Sequence, residues 1–462
     1  MSRFFNSGCG RRLHASVGVL GFLAALACGP QPDSRLNLLF ISLDTTRQDH
    51  LQVYGYDRET SPELAKLARS SIVFTSAFAQ ETSTAPSHAS MLTGQYPFNH
   101  GVMANEFHLA PGSRTLAEVL TESGYSTGGF VSGWTMAART SGLDRGFQIY
   151  DDDVETIRRL GAETVIRALD WLHEEASEPF FLFVHLFDAH GPYNPPLEFQ
   201  EIFKSDTPGP ELAMIPPYQQ VLDTNENLVT TANAYIDRYD AAIRFTDSLV
   251  AALVDSIDLD TTIVVVIGDH GETLTERYWS VDHGGHVADE QTRIPLLMRV
   301  PGLAPRRIGA LVETVDLMPT LTTLLGLESA VEPSISGRSL LPLLEGRRSD
   351  WRPFVFSSAK AVSDRYADRG YDLNSSRKIY GVRSNDWKLI NYPGTVQDYW
   401  ELYDLRSDPL ETRNVADRNP EVVRELGVAL RDWLRLARQT EFQPVDLSEE
   451  ERRKLLALGY IE

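Results

Sequence analysis

Three nearly continuous apolar segments constrain the fold of this chain more than any other feature of its sequence. They cover residues 36–43, 180–187 and 261–267. Such segments are typical of strands that are buried on both faces of a sheet. Stretches with the apolar spacing of helices lie around them, at residues 62–70, 113–123 and 235–256. We therefore predict an α/β protein with a large central, mostly parallel sheet flanked by helices.

Each of the three segments is followed by residues that can bind a ligand. Asp44 follows the first, Asp188 and His190 follow the second, and Asp269 and His270 follow the third. Open α/β sheets bind their ligands at the carboxyl ends of the strands. A single Asp in such a place could equally cap a helix or a turn. Three such ends together indicate a functional site at one edge of the sheet.

The last quarter of the chain has a different pattern. From about residue 349 the alternation of strands and helices fades, and short strand-like segments are followed by two helical ones. These segments cover residues 378–383, 387–390, 420–438 and 448–458. We therefore predict a main α/β domain over residues 36–348 and a smaller C-terminal subdomain over residues 349–462, with an antiparallel sheet and helices.

The run from Thr84 to Gly94 reads Thr-Ala-Pro-Ser-His-Ala-Ser-Met-Leu-Thr-Gly. It resembles the sulfatase active-site signature, in which Cys or Ser stands two residues before Pro-Ser-Arg and a Leu-x-Thr-Gly run follows. In this chain Thr84 replaces the Cys or Ser, and His88 replaces the Arg. Other landmarks of the resemblance are the segments at 44–47, 99–101, 269–272, 293–295, 316–320, 337–340 and 401–411. On these motifs the chain resembles the sulfatase branch of the alkaline phosphatase superfamily from about residue 36 to residue 460.

The resemblance implies a metal site made of Asp44, Asp269, His270 and the nucleophile position, Thr84. Sulfatases usually carry a second Asp where this chain has Thr45, and often Asn where it has His270. Losing a carboxylate and gaining an imidazole makes the predicted site less suited to calcium, which prefers oxygen ligands. We therefore expect one divalent ion, with manganese or zinc favoured and calcium or magnesium as alternatives.

The resemblance also implies that Thr84 is the nucleophile. Sulfatases oxidise their Cys or Ser to an aldehyde, whereas the same oxidation of Thr would give only a ketone. Thr84 would therefore act as an ordinary alcohol activated by a base or a metal. The same ligand types surround a Thr nucleophile and one manganese ion in the phosphoglycerol transferases of the lipoteichoic-acid type.

Three histidines are predicted to complete the catalytic site. His190 matches the position that contacts the ester or its leaving group, and His283 falls near a Lys that sulfatases use against the sulfate. His88 takes the place of the Arg that positions the nucleophile. His100 and His286 are further candidates with a weaker motif match. Asp188, His190, His283 and His286 could instead hold a second metal ion, but their spacing does not match that of two-zinc phosphodiesterases, and we favour one metal.

These predictions favour a metal-dependent hydrolase that cleaves an anionic sulfate or phosphate ester. A threonyl intermediate must be attacked at phosphorus or sulfur, which slightly favours a phosphoester. The alternatives are a transferase that moves a phosphoglycerol or phosphoethanolamine group, and a binding protein that has lost catalysis. The net charge of −21 argues against nucleic acid as a partner. The sequence does not determine the oligomeric state.

The amino-terminal segment has the pattern of an export signal. It carries Arg3, Arg11 and Arg12, then an apolar run at residues 17–27 that is short for a membrane span. Cys28 follows this run in a context that resembles a bacterial lipobox, and residues 28–35 form a polar tether. We therefore expect a signal peptide over residues 1–27 and a lipid-anchored protein in a bacterial envelope, facing the periplasm or the exterior. Its only membrane contact would be the lipid.

The lipid anchor can be tested directly. In a bacterial host with lipoprotein processing, the mature protein should begin at Cys28 and carry acyl chains, which mass spectrometry of the amino-terminal peptide would detect. Cys28→Ser should release the protein into the soluble fraction. An unmodified amino terminus beyond residue 28 in the wild-type protein would contradict the anchor.

Overall fold

In the computed structural model, the three apolar segments form adjacent parallel strands in the middle of one sheet. Numbered in chain order, they are β1 (Asn37–Leu43), β6 (Phe180–Leu186) and β7 (Thr262–Gly268). β1 lies between the other two and pairs with both in parallel. All three strands are buried along their whole length, as their continuous apolar sequences predict.

The structure describes residues 35–223, 226–277, 280–330, 335–347, 351–360, 378–394, 398–437 and 443–458. Arg35–Glu462 forms one compact unit. The predicted signal peptide, Cys28 and all of the predicted tether except Arg35 lie outside the described residues. The domain boundary between residues 348 and 349 stays a prediction. Within the described ranges, no helix combines the length and the apolar character needed to cross a bilayer.

Nine of the strands in the described residues form the central sheet, in the order β11-β2-β10-β7-β1-β6-β4-β5, with β12 also paired to β2. β10 runs antiparallel to both of its neighbours, and the other pairs are parallel. The strands not yet given are β2 (Ile72–Phe78), β3 (Phe107–His108), β4 (Ser126–Val131), β5 (Ile149–Asp151), β8 (Thr273–Leu274), β9 (Val281–Asp282), β10 (Arg293–Arg299), β11 (Arg306–Ile308), β12 (Val312–Glu313), β13 (Val355–Lys360), β14 (Lys378–Arg383), β15 (Trp387–Tyr392), β16 (Tyr399–Asp404) and β17 (Gln443–Pro444).

Helices cover both faces of the central sheet. The α-helices are α1 (Pro62–Ala68), α2 (Thr84–Thr93), α3 (Pro97–His100), α4 (Leu116–Glu122), α5 (Ala138–Ser141), α6 (Gly161–Glu174), α7 (Leu197–Gln200), α8 (Ala232–Asp255), α9 (Asp289–Thr292), α10 (Leu317–Leu324), α11 (Leu341–Leu344), α12 (Pro420–Leu434) and α13 (Glu449–Ala457). Short 3-10 helices lie at Gln48–His50, Gln52–Tyr54, Trp134–Met136, Pro217–Gln219, Thr314–Asp316, Glu328–Ala330 and Ala416–Arg418.

The side chains of β1 show how the two faces are covered. Leu38 and Phe40 belong to a core shared with α2, α4 and α10, whereas Leu39 and Ile41 belong to a core shared with α1, α6 and α8. Successive residues of a strand point to opposite faces, so one apolar strand contributes to both cores. The predicted α/β architecture with a mostly parallel central sheet is therefore confirmed.

The predicted antiparallel sheet of the C-terminal part is also confirmed. β13, β14, β15 and β16 pair in that order and antiparallel. α12 packs on this sheet with Leu426, Leu430 and Trp433, and the ring of Trp433 stacks on Phe356. At one edge the backbone N–H of Lys360 donates to the carbonyl of Gly284. The second sheet therefore contacts the loop that carries His283.

The predicted helix limits differ from the observed ones at their ends. The helix predicted at 113–123 starts only at Leu116, because Thr115 and Glu118 form a capping box that fixes its first turn. The helix predicted at 235–256 starts three residues earlier, at Ala232, after Thr231. Helix ends depend on a few local hydrogen bonds, which the apolar spacing does not report.

Candidate active site

The candidate site lies at the carboxyl ends of β1, β6 and β7. In the strand register, Leu43 pairs with both Leu186 and Gly268, so the residues that follow these strands leave the sheet at the same level. Asp44 follows β1, and Asp269 and His270 follow β7. Ligand atoms of these three side chains lie within 4.8 Å of one another, and all three residues are buried. The structure thus brings the predicted metal ligands together.

Each of these three side chains carries a buried atom without a hydrogen-bond partner in the described part of the protein. The atoms are Asp44 Oδ1, Asp269 Oδ2 and His270 Nε2. The His270 ring donates its Nδ1–H to the carbonyl oxygen of Gly271 at 2.9 Å, which leaves the lone pair of the neutral ring on Nε2. Two carboxylate oxygens and one imidazole lone pair form the donor set that a divalent cation requires.

The buried carboxylates also need a compensating charge. Burial raises the pKa of Asp44 to about 7, although His270 and the neighbouring side chains of Thr84 and Asp269 oppose the shift. Burial and the neighbouring Asp44 raise the pKa of Asp269 as well. Two adjacent buried carboxylates repel each other as anions, and a cation between them would stabilise both charged forms. These residues therefore fit a metal ion.

The other oxygen of each carboxylate is held by the protein. Asp269 Oδ1 accepts hydrogen bonds from the backbone N–H groups of Thr45, at 3.0 Å, and His270, at 2.7 Å. Asp44 Oδ2 accepts one from His185 Nε2 at 3.1 Å. Thr45 has a positive φ of 49°, a conformation that costs a β-branched residue on the order of 1–3 kcal/mol. Thr45, which stands where sulfatases usually have a second Asp, thus contributes its backbone to the site.

Thr84 is the first residue of α2 and is fully buried. Its side chain is one of the groups that lower the pKa of Asp44. The next backbone N–H, that of Ala85, donates to Asn105 Oδ1 at 2.9 Å, and the Ser87 hydroxyl donates to the carbonyl of Asp269 at 2.7 Å. The bond from Ser87 joins the start of α2 to the end of β7. The amino-terminal end of a helix also favours negative charge, which suits an anionic ester at Thr84.

His88 lies one turn along α2 and uses both ring nitrogens within the protein. Its Nδ1–H donates to the carbonyl of Thr84 at 2.7 Å, and its Nε2 accepts from the Ser42 hydroxyl at 2.7 Å. Burial lowers the pKa of His88 to about 3, so the ring is neutral at pH 7. This arrangement ties the turn that carries Thr84 to β1. It is compatible with the predicted positioning role.

The rings of His190 and His283 lie close to each other, and the His283 ring lies close to the ring of His270. Their ring centroids are 4.7 Å apart, and the His283 ring is 4.9 Å from that of His270. His190 donates its Nδ1–H to the carbonyl of Gly191 at 2.6 Å, and burial lowers its pKa well below the usual value. His283 donates its Nδ1–H to the Glu272 carboxylate, with 3.2 Å to Oε1. The two rings therefore have different partners, a neutral carbonyl and a carboxylate.

The remaining predicted histidines have other contacts. His100 contacts the Ser90 hydroxyl through Nε2 and accepts from the backbone of Val102 at Nδ1, and His286 accepts from the backbone of Ala288. Asp188 Oδ1 accepts from the backbone N–H of Gly161, the first residue of α6. Among the described residues, the predicted second-metal set of Asp188, His190, His283 and His286 is not one of the groups with metal-binding spacing.

Sequence reasoning missed several side chains of this site. His185 contacts Asp44, Glu272 contacts His283, and the side-chain amide of Gln219 donates to Glu272 at 3.1 Å. His185 lies inside an apolar strand, and a polar residue buried there needs a polar partner. Its position in the sequence could therefore have indicated that it belongs to the site. Gln219 comes from a loop with no pattern that could have placed it.

Comparisons with known proteins agree with this geometry. The sulfatase family model matches residues 36–327, and a model of the carboxyl-terminal region of N-sulphoglucosamine sulphohydrolase matches residues 283–438. The chain belongs to the sulfatase family. It is therefore a sulfatase-like ester hydrolase of the alkaline phosphatase superfamily, and enzymes of this family bind a divalent metal ion.

Among the relatives of this sulfatase-family chain is an N-acetylglucosamine-6-O-sulfatase of Bacteroides thetaiotaomicron, 22% identical, with 95% of this chain and 93% of the relative covered. A choline-sulfatase of Rhizobium meliloti is 25% identical, with 83% of each chain covered. The solved phosphonate monoester hydrolase of Agrobacterium radiobacter has a TM-score of 0.69 and 23% identity, over 90% of this chain and 99% of that one. A structure in complex with D-glucosamine-2-N,6-O-disulfate has a TM-score of 0.73 and 21% identity, over 90% and 100%.

The metal centre can be tested by removing one carboxylate. Asp269→Ala should abolish stoichiometric binding of manganese or zinc, because it removes a ligand shared by both groups of buried residues with metal-binding spacing. In the wild-type protein, metal at a hundredfold excess over Kd should stabilise the fold by about 2.7 kcal/mol. That stabilisation should disappear in the variant, as measured by thermal unfolding with and without metal.

The matched control is Asp188→Asn, which changes a buried carboxylate outside the group. This variant should still bind one metal ion. Stoichiometric metal in purified Asp269→Ala, measured by elemental analysis, would rule out the proposed ligand set. Loss of metal in Asp188→Asn alone would instead favour the second set of residues considered from the sequence.

Proposed function

We propose that this protein is a metal-dependent hydrolase that cleaves an anionic sulfate or phosphate ester with Thr84 as its nucleophile. The observation that carries the proposal is that Thr84 starts α2, a helix that the Ser87 hydroxyl bonds to Asp269. Asp269 belongs to the buried group with metal-binding spacing, together with Asp44 and His270. The sulfatases and phosphonate monoester hydrolases that the chain resembles support both ester classes. We favour a phosphoester slightly, because a threonyl ester must be opened by attack at the central atom.

The site residues have separate roles in the first step. Asp44, Asp269, His270 and Thr84 would hold the cation, with manganese or zinc favoured. When bound, it would stabilise the Thr84 alkoxide and the negative charge on the ester oxygens. Thr84 Oγ, having released its proton to solvent, attacks phosphorus or sulfur in line with the leaving oxygen. A bond forms between Thr84 Oγ and the central atom, and the bond to the leaving alcohol breaks.

His283 is the better placed residue to protonate the leaving alcohol. Its Nδ1–H faces the Glu272 carboxylate, which stabilises positive charge on the ring, as the carboxylate of a catalytic triad does. His190 donates its Nδ1–H to a neutral carbonyl, and burial lowers its pKa, so its neutral ring offers Nε2 as an acceptor. We therefore assign proton donation to His283, and to His190 the acceptance of a hydrogen bond from a substrate hydroxyl.

The second step returns Thr84 to its starting state. A water molecule loses a proton to His283, which is neutral after the first step, and attacks the central atom. The bond to Thr84 Oγ breaks, Thr84 Oγ takes up a proton from solvent, and the free sulfate or phosphate leaves. An acceptor alcohol in place of water would give transfer instead of hydrolysis. No observation among the described residues favours such an acceptor, so hydrolysis is the function that we propose.

The nucleophile is tested by substitutions at Thr84. Thr84→Ala should lower turnover on the order of a thousandfold or more, because no other hydroxyl takes its place in the mechanism. Thr84→Ser should keep turnover within about tenfold, because only the methyl group that restricts the rotamer is lost. Activity on aryl sulfates, phosphate monoesters, phosphate diesters and phosphonate esters would be measured with the metal added.

An acid-quenched reaction should trap a phosphothreonine or sulfothreonine at residue 84, and mass spectrometry of the peptide identifies the transferred group. Thr84→Ala with wild-type turnover would refute the nucleophile. Substrate binding by the wild-type protein without turnover across all four ester classes would favour the non-catalytic alternative.

The role of His283 is tested through the leaving group. His283→Gln should slow esters of weakly acidic alcohols by about 10²–10⁴-fold, the usual contribution of a general acid. Esters of nitrophenol should be affected much less, because nitrophenolate leaves without protonation. The matched control is His190→Gln, in which the rate loss should be similar for both leaving groups. A His283→Gln loss that is equal for both leaving groups would contradict the assignment.

A further inference from the structure

His185 lies within β6, and its side chain is fully buried beside the candidate metal ligands. In the strand register it pairs with Ser42, two residues before Asp44. The His185 ring lies edge-on to the ring of His88, with centroids 4.9 Å apart. A histidine in a strand of otherwise apolar residues costs free energy unless it has a polar partner.

The polar partner is Asp44. His185 Nε2 lies 3.1 Å from Asp44 Oδ2, and because a carboxylate oxygen accepts, the ring donates its Nε2–H. The other oxygen, Asp44 Oδ1, is buried without a hydrogen-bond partner in the described residues. The hydrogen bond from His185 therefore determines which carboxylate oxygen is committed to the protein and which is available to a cation.

A direct role of His185 as a metal ligand is less consistent with its surroundings. His185, His88 and Asp269 have the spacing of a second possible metal group. However, His88 already uses Nδ1 on the carbonyl of Thr84 and Nε2 on the hydroxyl of Ser42. A metal ion there would have to break one of the two hydrogen bonds of His88. Asp44, Asp269 and His270 offer their unpartnered atoms without breaking either.

We propose that His185 is a positioning residue of the metal centre, which orients Asp44 and thereby sets the affinity for the cation. This inference rests on the proposed function only in that a cation binds to Asp44, Asp269 and His270. Removing a residue that hydrogen-bonds to a metal ligand without touching the metal typically weakens metal affinity by about 10–100-fold. The donor at Nε2 matters in this proposal, and the charge of the ring does not.

The experiment compares three residues at position 185. His185→Gln places an amide N–H near the position of Nε2, whereas His185→Leu keeps the bulk and removes the donor. We expect His185→Leu to bind manganese about 10–100-fold more weakly than the wild-type protein and His185→Gln to stay within a few fold. Affinity is measured on the purified full chain by competition with a metal chelator, and circular dichroism verifies folding without metal.

The matched control is another buried histidine–carboxylate pair. His50 Nδ1 lies 2.7 Å from Asp240 Oδ1, and neither residue belongs to a group with metal-binding spacing among the described residues. His50→Leu should lower the unfolding temperature but leave manganese affinity unchanged. Equal loss of affinity in His50→Leu and His185→Leu would show a general loss of structure and overturn the specific role of His185.

Electron spin-echo spectroscopy of bound manganese separates positioning from direct ligation. One coordinated imidazole nitrogen, from His270, should be present in the wild-type protein and in His185→Gln. Two coordinated imidazoles in the wild-type protein, with one lost in His185→Gln, would overturn the proposal. If His185→Leu does not fold, His185→Asn is used in its place, because the shorter amide of Asn does not reach Asp44. Wild-type affinity for manganese in His185→Asn would likewise overturn the proposal.

The result is distinguishable from failure of the proposed function. Affinities are measured without substrate, so a wild-type protein that binds manganese but hydrolyses none of the tested esters would refute the function and leave the role of His185 open to the same measurement. Wild-type affinity for manganese in folded His185→Leu would refute the role of His185 alone.

Discussion

The burial of two neighbouring carboxylates, those of Asp44 and Asp269, dominates the physics of this site. Both carboxylates leave adjacent parallel strands at the same level, and both are removed from water. The protein compensates each of them on one side only, with His185 on Asp44 and two backbone N–H groups on Asp269. The uncompensated oxygens and the His270 lone pair are available to a cation, whose binding would then add to the stability of the fold.

The same arrangement connects the candidate metal centre to Thr84, the proposed nucleophile. Ser87 in α2 donates to the carbonyl of Asp269, and His88 joins the carbonyl of Thr84 to Ser42 in β1. The helix that begins with Thr84 is thus bonded to both strands that supply the carboxylates. Such bonds hold a reacting oxygen in place before the substrate binds, and the reaction then requires little rearrangement. A neutral His88 can do this because it uses one donor and one acceptor.

The two histidines proposed to act on the substrate, His190 and His283, differ in their hydrogen-bond partners. His190 and His283 lie close together, yet one is bonded to a carbonyl and the other to Glu272. Two similar side chains with different hydrogen-bond partners can take different roles in proton transfer, one as acceptor and the other as donor. Gln219, at the end of the 3-10 helix between α7 and α8, donates to Glu272, so residues far from the signature run contribute to the candidate site.

The sequence by itself determined the α/β class, the three buried strands and the ends at which polar residues gather. Apolar strands and their end residues are local in the chain, and parallel pairing brings those ends to one edge of the sheet. The run that starts at Thr84 likewise located the nucleophile position and its departures from the sulfatase signature. Only the tertiary structure decided that Asp44 contacts His185 and that His88 uses both ring nitrogens. It also decided that His283 is bonded to the Glu272 carboxylate, whereas His190 is bonded to a backbone carbonyl. These contacts join residues from different strands and loops, and they depend on strand register and side-chain direction, which periodicity along the chain does not contain.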